Sequence, residues 1–339
     1  MKKIKVGVAG YGVIGQRLAD GVTRQEDMEL VGIVDVIPSL SIRALYDSKN
    51  PYDLYVVNDS MKKAFIDEGI PVKGNFNDIL SKVDIMLDAA PGGIGIKNKE
   101  KYKESGVKAI FQGGEKNEVA DVFFHGYANY HKGVGKDYLK LTSCNTTGFI
   151  RAVDCIDKAV GVERVVVTIM RRSADPGDVH RGLVDVALVE KVPNHQALDL
   201  MLIMPHIEAT GVLVHLPITH GHLISMVITP KKKISIGESL LLFAAHPRIK
   251  VVEIAKGFNS NTALFKYARD KGNKRADMYE IGLFKETVAL SGENLFFTIN
   301  IPQEAVVIPE TIDAIRAAIP MQTDGNEAVG LTNKYLDME

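Results

Sequence analysis

The segment KIKVGVAGYGVIG, residues 3–15, places three spaced glycines directly after a short apolar run. The run predicts a buried strand, and the pattern from Val13 to Arg24 predicts a helix. Gly10, Gly12 and Gly15 stand at the turn between them, in the G-x-G-x-x-G spacing that indicates dinucleotide binding. In this spacing the first glycine makes the tight turn, the second lets the backbone approach a pyrophosphate, and the third permits close helix–strand packing.

Asp35 extends this pattern, because it lies 20 residues after Gly15, at the end of the predicted strand Leu30–Val34. A carboxylate at this point accepts a hydrogen bond from the ribose 2′-hydroxyl and repels a 2′-phosphate, so it favours NAD over NADP. A solvated aspartate in an ordinary turn is the alternative. The segment Asp88–Gly93 (DAAPGG) ends a later strand, where it is either an ordinary turn or a second approach to the cofactor.

The two halves of the chain carry different patterns. The first half alternates β-rich runs with helical stretches, which predicts an α/β domain with a doubly wound parallel sheet of the Rossmann type. Its further strands are predicted at Tyr55–Val57, Ile85–Asp88, Ala109–Phe111 and Leu139–Leu141. Longer β-branched runs after residue 150 predict an α+β domain with a mostly antiparallel sheet. These runs are Arg164–Arg172, Gly211–Leu216, Leu223–Thr229 and Asn294–Asn300.

Length and composition agree with two domains. The chain has 339 residues, of which 46% are hydrophobic and 24% charged, and its net charge is −1. We expect a cofactor domain over residues 1–143 and a catalytic domain over 144–304, with the C-terminal helix at 305–339 packing back on the first domain. A single barrel is the rival arrangement. The charge balance argues against nucleic-acid and anionic-membrane partners. The low cysteine content favours a reducing cytoplasm, and no stretch reaches the roughly 18 apolar residues of a membrane helix.

Two cysteines are present, and Cys144 lies in SCNTTG (residues 143–148), between a predicted strand and a predicted helix. A helix N-terminus stabilises a thiolate, which makes Cys144 a candidate nucleophile. It would need a base, and His215, His220 and His222 cluster in HLPITHGH. An ordinary small residue in a polar turn is the alternative. No metal site is expected, because nothing at ligand spacing accompanies the histidines. Cys155 is expected in the core.

Four segments together resemble the archaeal-type (type II) glyceraldehyde-3-phosphate dehydrogenase family, over essentially the whole chain. They are SCNTTG, FQGGEK (111–116), RRSADP (171–176) and VVIPETIDAIRA (306–317). The resemblance implies phosphorylating, NAD(P)-dependent oxidation of glyceraldehyde 3-phosphate to 1,3-bisphosphoglycerate through a cysteine thiohemiacetal and thioester. It also implies a homotetramer.

The resemblance assigns roles to individual residues. Cys144 is the nucleophile and His222 its base, with His220 as the alternative base. The substrate and phosphate are assigned to Ser143, Asn145, His195, Gln196 and Arg172. Cofactor contacts fall on Val13, Ile14, Gly114, Arg171 and Gln303, besides Gly10, Gly12, Gly15 and Asp35. Either Arg171 or Arg172 suits a phosphate, because the guanidinium is a fork-shaped donor.

Several positions depart from the family pattern. Val34-Asp35-Val36 replaces the T-K-T-like segment that accepts NADP, so NAD is expected and NADP is the alternative. One histidine of the family's adjacent pair is replaced, giving His195-Gln196. Because these changes touch substrate selection, two other functions stay open: a sister enzyme with the same thioester chemistry on another aldehyde, and a non-catalytic NAD-binding protein.

Overall fold

The computed structural model describes residues 3–112, 114–172, 187–302, 304–321 and 324–338. The chain divides into two compact units. The first comprises Met1–Gly126, Tyr130–Leu141 and Ile308–Asp337, and the second comprises Tyr127–Asn129, Thr142–Val307 and Met338–Glu339.

Strands of the first unit are β1 (Ile4–Ala9), β2 (Met28–Asp35), β3 (Leu54–Val56), β4 (Gly74–Asn75), β5 (Ile85–Asp88), β6 (Lys108–Phe111), β7 (Val122–Phe124) and β8 (Tyr138–Leu141). Those of the second are β9 (Val162–Arg172), β10 (Leu188–Val189), β11 (Glu208–Leu216), β12 (His222–Pro230), β13 (Ile249–Val252), β14 (Ile281–Phe284), β15 (Ala289–Ser291) and β16 (Asn294–Ile301).

The helices, in chain order, are α1 (Val13–Thr23), α2 (Leu40–Tyr46), α3 (Lys62–Ile66), α4 (Phe76–Leu80), α5 (Gly95–Glu104), α6 (Gly126–Gly133), α7 (Cys144–Val160), α8 (His195–Ile203), α9 (Ile236–Ala245), α10 (Asn261–Asp270), α11 (Ile308–Ala318) and α12 (Gly325–Tyr335). The last two belong to the first unit.

A parallel sheet forms the core of the first unit, in the order β4-β3-β2-β1-β5-β6-β8-β7. Every pairing between its described strands is parallel. The chain moves outward from β1 to β4 and then returns to β5 on the other side of β1, which makes the β1/β5 pair the topological switch point. Ligands bind at the carboxyl ends of strands at such points. The predicted Rossmann-type sheet is confirmed.

Every predicted strand is present, with ends that differ by up to three residues. The prediction missed six short strands of two to four residues each, namely β4, β7, β10, β13, β14 and β15. Strands this short carry too little alternation to be distinguished from loops, so their pairing with a neighbouring strand alone defines them.

Helix α11 is buried along its whole length in the first unit, where it contacts α1 and α12. A glycine on α1 makes this packing possible, because a Cβ on Gly21 would lie 2.9 Å from Cγ2 of Ile308. The buried Arg316 of α11 donates hydrogen bonds to Asp27, Gln25 and Thr332. The C-terminal segment is therefore held to the first unit by both apolar packing and a charged network.

The second unit contains a mixed sheet, in the order β10-β11-β9-β12-β16-β14-β13, with β15 beside β16. Among the described strands, β9 with β11 and β13 with β14 pair in parallel, and the other pairs are antiparallel. The prediction of a mostly antiparallel sheet is confirmed.

Helix α7 packs against this sheet, contacting β9, β12 and β16. A Cβ on Gly148 would lie 2.3 Å from Cδ1 of Ile301, so glycine allows the helix to approach β16 closely. Residues of β12 alternate between buried and partly exposed, starting with the buried His222. Because side chains alternate across a strand, His222 lies on the same face as the core residues Ile224 and Met226.

Candidate active site

Each of the three glycines after β1 occupies a distinct environment. Gly10 has φ +86°, a conformation that other residues rarely adopt, and a Cβ on it would lie 2.9 Å from the backbone oxygen of Ala89. A Cβ on Gly15 would lie 1.8 Å from the oxygen of Gly10, so only glycine fits there. A Cβ on Gly12 would meet no described atom within 4 Å. The unoccupied space beside the Gly12 backbone suits the approach of a pyrophosphate.

Helix α1 begins directly after Gly12, with Val13 and Ile14 as its first residues. Its N-cap is Gly12, which makes no side-chain capping bond. The first N–H groups of a helix have no intrahelical acceptor and carry the positive end of the helix dipole, so they suit an anion. A dinucleotide pyrophosphate fits this turn.

The Asp35 carboxylate ends β2 beside the glycine turn. The backbone N–H of Tyr11 donates to its Oδ2 at 3.0 Å, and that of Val36 donates to its Oδ1 at 2.6 Å. Two N–H donors hold the side chain in a fixed orientation. A carboxylate oriented in this way can also accept a hydrogen bond from a ribose hydroxyl.

The loop after β5 lies against the glycine turn and has its own buried anchor. Asp88 accepts hydrogen bonds from Tyr102 at 2.7 Å and Asn98 at 2.9 Å. Burial raises the pKa of the Asp88 carboxyl, and these hydrogen bonds oppose the rise. Asp88 therefore anchors the loop. A Cβ on Gly114 would meet nothing within 4 Å, as for Gly12, whereas Gln303 lies outside the described residues.

Cys144 is the first residue of α7, and Ser143 is its N-cap, accepting a hydrogen bond from the backbone N–H of Thr146 at 3.3 Å. The side chain of Cys144 is partly exposed, and both cysteines of the chain are free thiols. Cys155 has intermediate burial on α7, so it lies at the edge of the core and not within its fully buried part. A position in the first helical turn surrounds the sulfur of Cys144 with N–H dipoles that favour the thiolate.

Charged residues around Cys144 act on its thiol in opposite directions. Desolvation raises the pKa of the Cys144 thiol above its ordinary value. Arg171 and Arg172 lower that pKa by attracting the thiolate, and Glu304 raises it by repulsion. The net direction is upward, so the free thiol needs a base to react near neutral pH.

His222 is joined to the residue after the thiol. Its Nδ1 lies 2.6 Å from Oδ1 of Asn145, and the two residues are 0% and 1% exposed. An oxygen acceptor at this nitrogen places the ring proton on Nδ1, which leaves Nε2 as the basic nitrogen of the neutral imidazole. The fold thus brings an imidazole to the start of α7 from 77 residues away.

His220 has a different environment. Its Nδ1 is 2.8 Å from the hydroxyl of Thr219, and its ring packs on Phe265 with the centroids 4.1 Å apart. Its backbone oxygen accepts a hydrogen bond from Asn261. The described contacts of His220 are therefore with its own loop and α10, whereas His222 contacts the residue beside the thiol.

Arg172 and Glu304 form a largely buried ion pair. Nη2 of Arg172 lies 2.8 Å from Oε1 of Glu304, with side-chain exposures of 4% and 15%, and Nη1 donates to the backbone oxygen of Thr219 at 3.4 Å. Sequence reasoning missed Glu304. The segment containing it had no recognisable spacing relative to Arg172, 132 residues earlier.

Arg171 belongs to a second group of charges, around Glu190. His215, which pairs with Arg171 across β9 and β11, lies 2.8 Å from Glu190 through Nε2. Nδ1 of His195 lies 3.7 Å from the same carboxylate. Burial alone would raise the pKa of Glu190, but His215, His195 and Arg171 together lower it. The predicted substrate residue His195 is thus linked to Arg171 through Glu190.

Gln196 lies at the start of α8, whose N-cap is Asn194. It is only 1% exposed, and its Oε1 has no hydrogen-bond partner within the described part of the chain. No described contact joins Gln196 to Cys144 or His222. Within the same described ranges, no group of three histidine, cysteine or acidic residues is arranged to hold a metal.

Comparisons with known proteins agree with this arrangement. Residues 143–270 match the family described as glyceraldehyde 3-phosphate dehydrogenase, C-terminal domain. A glyceraldehyde-3-phosphate dehydrogenase from Pyrococcus furiosus is 40% identical over 336 residues, covering 98% of both chains. One from Methanoregula boonei is 37% identical over 335 residues, covering 98% of this chain and 97% of the relative.

Among solved structures, aspartate semialdehyde dehydrogenase II from Vibrio cholerae superimposes with a TM-score of 0.66. It covers 94% of this chain and 99% of its own, at 15% sequence identity, a likeness of fold alone. Among the helices that the structure describes, none is long and apolar enough to cross a membrane. By its similarity in sequence to these relatives over nearly its whole length, the chain belongs to the archaeal-type glyceraldehyde-3-phosphate dehydrogenase family.

Proposed function

We propose that this protein oxidises glyceraldehyde 3-phosphate to 1,3-bisphosphoglycerate, with NAD as the hydride acceptor and inorganic phosphate as the second substrate. The supporting observation is the link from His222 through Asn145 to the turn that begins with Cys144. It occurs in a chain whose relatives of the same length are named glyceraldehyde-3-phosphate dehydrogenase.

The first chemical step joins Cys144 to the aldehyde. His222 takes the proton of the thiol, and the sulfur attacks the carbonyl carbon to form a carbon–sulfur bond. The proton on His222 then passes to the new oxyanion, which gives a thiohemiacetal. N–H groups in the first turn of α7 stabilise the negative charge while it develops.

Oxidation and phosphorolysis complete the cycle. NAD, when bound, supplies the hydride acceptor. His222 takes the hydroxyl proton of the thiohemiacetal as its carbon–hydrogen bond breaks, which leaves a thioester on Cys144. A phosphate oxygen then attacks the thioester carbon, the carbon–sulfur bond breaks, and the Cys144 thiolate leaves as the acyl phosphate forms.

Residues around the thiol suit two phosphate groups, that of the substrate and that of the attacking anion. Arg172 is proposed to donate hydrogen bonds to a phosphate group. Its guanidinium is close enough to Cys144 to lower the pKa of the thiol. Ser143 and Asn145 flank the nucleophile, and His195 and Gln196 are assigned to substrate selection. The changed His195-Gln196 pair makes the aldehyde preference the sharpest point to test.

The cofactor is assigned to residues 1–143, with the helices at 305–339 as part of the same domain, and the aldehyde chemistry to residues 144–304. Gly10, Gly12, Val13, Ile14 and Gly15 would hold the pyrophosphate. Asp35 supports NAD over NADP, because its fixed carboxylate accepts from a 2′-hydroxyl and repels a 2′-phosphate. Gly114, Arg171 and Gln303 are further proposed contacts.

A homotetramer in the cytoplasm is proposed from the family resemblance and from the free thiols, which persist in a reducing compartment. Measurement of the native mass in solution tests the tetramer. A sister enzyme for another aldehyde and a non-catalytic NAD-binding protein are not favoured, since the relatives at 37% and 40% identity carry the dehydrogenase name.

The deciding experiment compares initial rates of NADH formation from glyceraldehyde 3-phosphate and from a panel of other aldehydes, each with and without inorganic phosphate. We expect the triose phosphate to have the highest kcat/KM and sustained turnover to need phosphate. Cys144→Ser is expected to abolish the activity. A negligible rate on glyceraldehyde 3-phosphate beside a high rate on another aldehyde would refute the proposal.

A further inference from the structure

The carboxylate of Glu304 lies in the group of charges around the nucleophile, and the family resemblance assigns it no role. It contacts Arg172 at 2.8 Å, and 4% of the Arg172 side chain and 15% of the Glu304 side chain are exposed. A buried ion pair is weak evidence for stability, because desolvation offsets the attraction between the charges. Its position beside a thiol and a phosphate site therefore indicates a role in the reaction.

Three charged residues act on the Cys144 thiol from the elements around it, and His222 contacts the neighbouring Asn145. Arg171 and Arg172 lie at the end of β9, Glu304 follows β16, and His222 begins β12 and contacts Asn145. The two arginines favour the thiolate, and Glu304 disfavours it. Because Glu304 is paired with Arg172, it cancels part of the positive charge that the thiolate or an incoming anion would otherwise meet.

Carboxylates and phosphates bind the same partner on an arginine, since both offer oxygen acceptors to the planar N–H fork. The contact of Nη2 with Oε1 of Glu304 is thus the kind of contact that a phosphate oxygen would make. Nη1 is directed to the backbone oxygen of Thr219, which restrains the other branch of the guanidinium.

We propose that Glu304 is a positioning residue that holds the Arg172 guanidinium beside Cys144 and competes with phosphate for it. This role of Glu304 rests on the proposed function in one respect, which is that phosphate is the anion that binds Arg172. Without an anion, Glu304 keeps Arg172 in place and moderates the thiolate. With phosphate bound, Arg172 is shared, and the affinity for the anion is limited so that it can be released after each turnover.

Glu304→Gln separates charge from shape, because glutamine keeps the length and one acceptor oxygen and removes the negative charge. Two effects are expected. The apparent pKa for alkylation of Cys144 falls by at least about half a unit, which raises the thiolate fraction about threefold at pH values below the native pKa. The Kd for inorganic phosphate also falls, by about threefold or more.

Both effects are measured without turnover. Alkylation of Cys144 by iodoacetamide is followed against pH in a Cys155→Ser background, with protection by inorganic phosphate as the binding readout. Cys155 contributes little even when present, because burial and the nearby Asp154 raise its pKa to about 12. Glu253→Gln is the matched control, since it removes a partly exposed carboxylate that pairs with Lys256 in the same unit.

The conservative variant Glu304→Asp keeps the charge and is expected to keep a near-native alkylation profile. If Glu304→Gln fails to fold, the single variant Arg172→Gln is compared with the double variant Arg172→Gln/Glu304→Gln. The double variant removes both charges of the ion pair, so neither partner is left without the other. Loss of Arg172 should raise the apparent pKa, and the added loss of Glu304 should lower it again.

The proposal is overturned if Glu304→Gln shifts neither the alkylation profile nor phosphate protection beyond the Glu253→Gln control. It is equally overturned if the double variant and Arg172→Gln have the same profile. Since alkylation needs neither aldehyde nor NAD, an enzyme that fails on glyceraldehyde 3-phosphate but shows the Glu304 shift would refute only the proposed function.

Discussion

Nδ1 of His222 lies 2.6 Å from Oδ1 of Asn145, in surroundings where both side chains are almost fully buried. Asn145 follows Cys144 in sequence, so one helical turn carries both the proposed nucleophile and the acceptor that orients His222, the proposed base. An amide oxygen in this position selects the imidazole tautomer with the proton on Nδ1. The geometry makes Asn145 a partner of His222 in addition to its proposed place in the substrate pocket.

Asn145→Ala removes the acceptor that orients His222. We expect acylation to slow about 10- to 100-fold, because the ring loses both its fixed tautomer and its fixed orientation. The pre-steady-state burst of NADH formation measures this step. Asn261→Ala is a suitable control, since Asn261 bonds to the loop of His220, and the burst should be near native. An unchanged burst in Asn145→Ala would separate Asn145 from the base.

Separate substitutions of His222 and His220 distinguish which of the two histidines is the base. His222→Asn is expected to slow acylation about 10²- to 10⁴-fold, the usual contribution of a general base, whereas His220→Asn should change it only a few-fold. His220 contacts Thr219 and Phe265, and its described contacts do not include the first turn of α7. Rates from rapid-mixing experiments decide, and the opposite ranking would exchange the two roles.

Gly12→Ala and Gly15→Ala form a matched pair in the glycine turn. Gly12→Ala should leave the melting temperature near native, because its Cβ meets open space at φ −78°, but it should weaken NAD binding at least about tenfold. Gly15→Ala should lose about 3 kcal/mol of unfolding free energy, because its Cβ would lie 1.8 Å from the oxygen of Gly10. Calorimetry and NAD titration test both. Equal behaviour of the two variants would contradict the distinct roles.

Asp35→Ser tests the choice of cofactor. The loss of one charge-assisted hydrogen bond to the ribose should lower kcat/KM for NAD by about 10- to 100-fold. The same change should raise kcat/KM for NADP, since the repulsion of a 2′-phosphate disappears. Steady-state kinetics with both cofactors measure the ratio. A native enzyme that already prefers NADP would show that the Asp35 carboxylate does not face the ribose.

Arg316→Met probes how the C-terminal helices are held. The substitution removes the donor of hydrogen bonds to Asp27, Gln25 and Thr332, and we expect a loss of about 2 to 4 kcal/mol in unfolding free energy. The expected loss of unfolding free energy is not larger because the Asp27 side chain is 19% exposed and can be hydrated once Arg316 is removed. Lys266→Met, which removes an exposed partner of Asp270, should leave the denaturation midpoint near native. Similar midpoints for both variants would contradict the structural role of Arg316.

Features carried by neighbouring residues were readable from the sequence. The glycine spacing predicted the turn after β1, and the polar segment SCNTTG before a helical pattern predicted that Cys144 lies at a helix start. Both follow from local backbone preferences and from the orphan N–H groups of helix termini, which act over a few residues. The sequence also predicted that the first sheet is parallel and the second mostly antiparallel. Continuous apolar runs and alternating patterns reflect whether both faces of a strand are buried or only one.

Relations between distant residues were decided by the tertiary structure alone. The 77-residue separation of Asn145 from His222 and the 132-residue separation of Arg172 from Glu304 carry no periodic signal. The strand order of the second unit brings Arg172 and Glu304 together, because β12 lies between β9 and β16 and the ends of these strands meet there. The packing of α7 against β12 brings Asn145 to His222. By itself the sequence determined the glycine turn, the position of Cys144 at a helix start and the resemblance to the family. The partner of His222, the ion pair of Arg172 with Glu304 and the bond from the Tyr11 N–H to Asp35 depend on long-range packing, which no local pattern encodes.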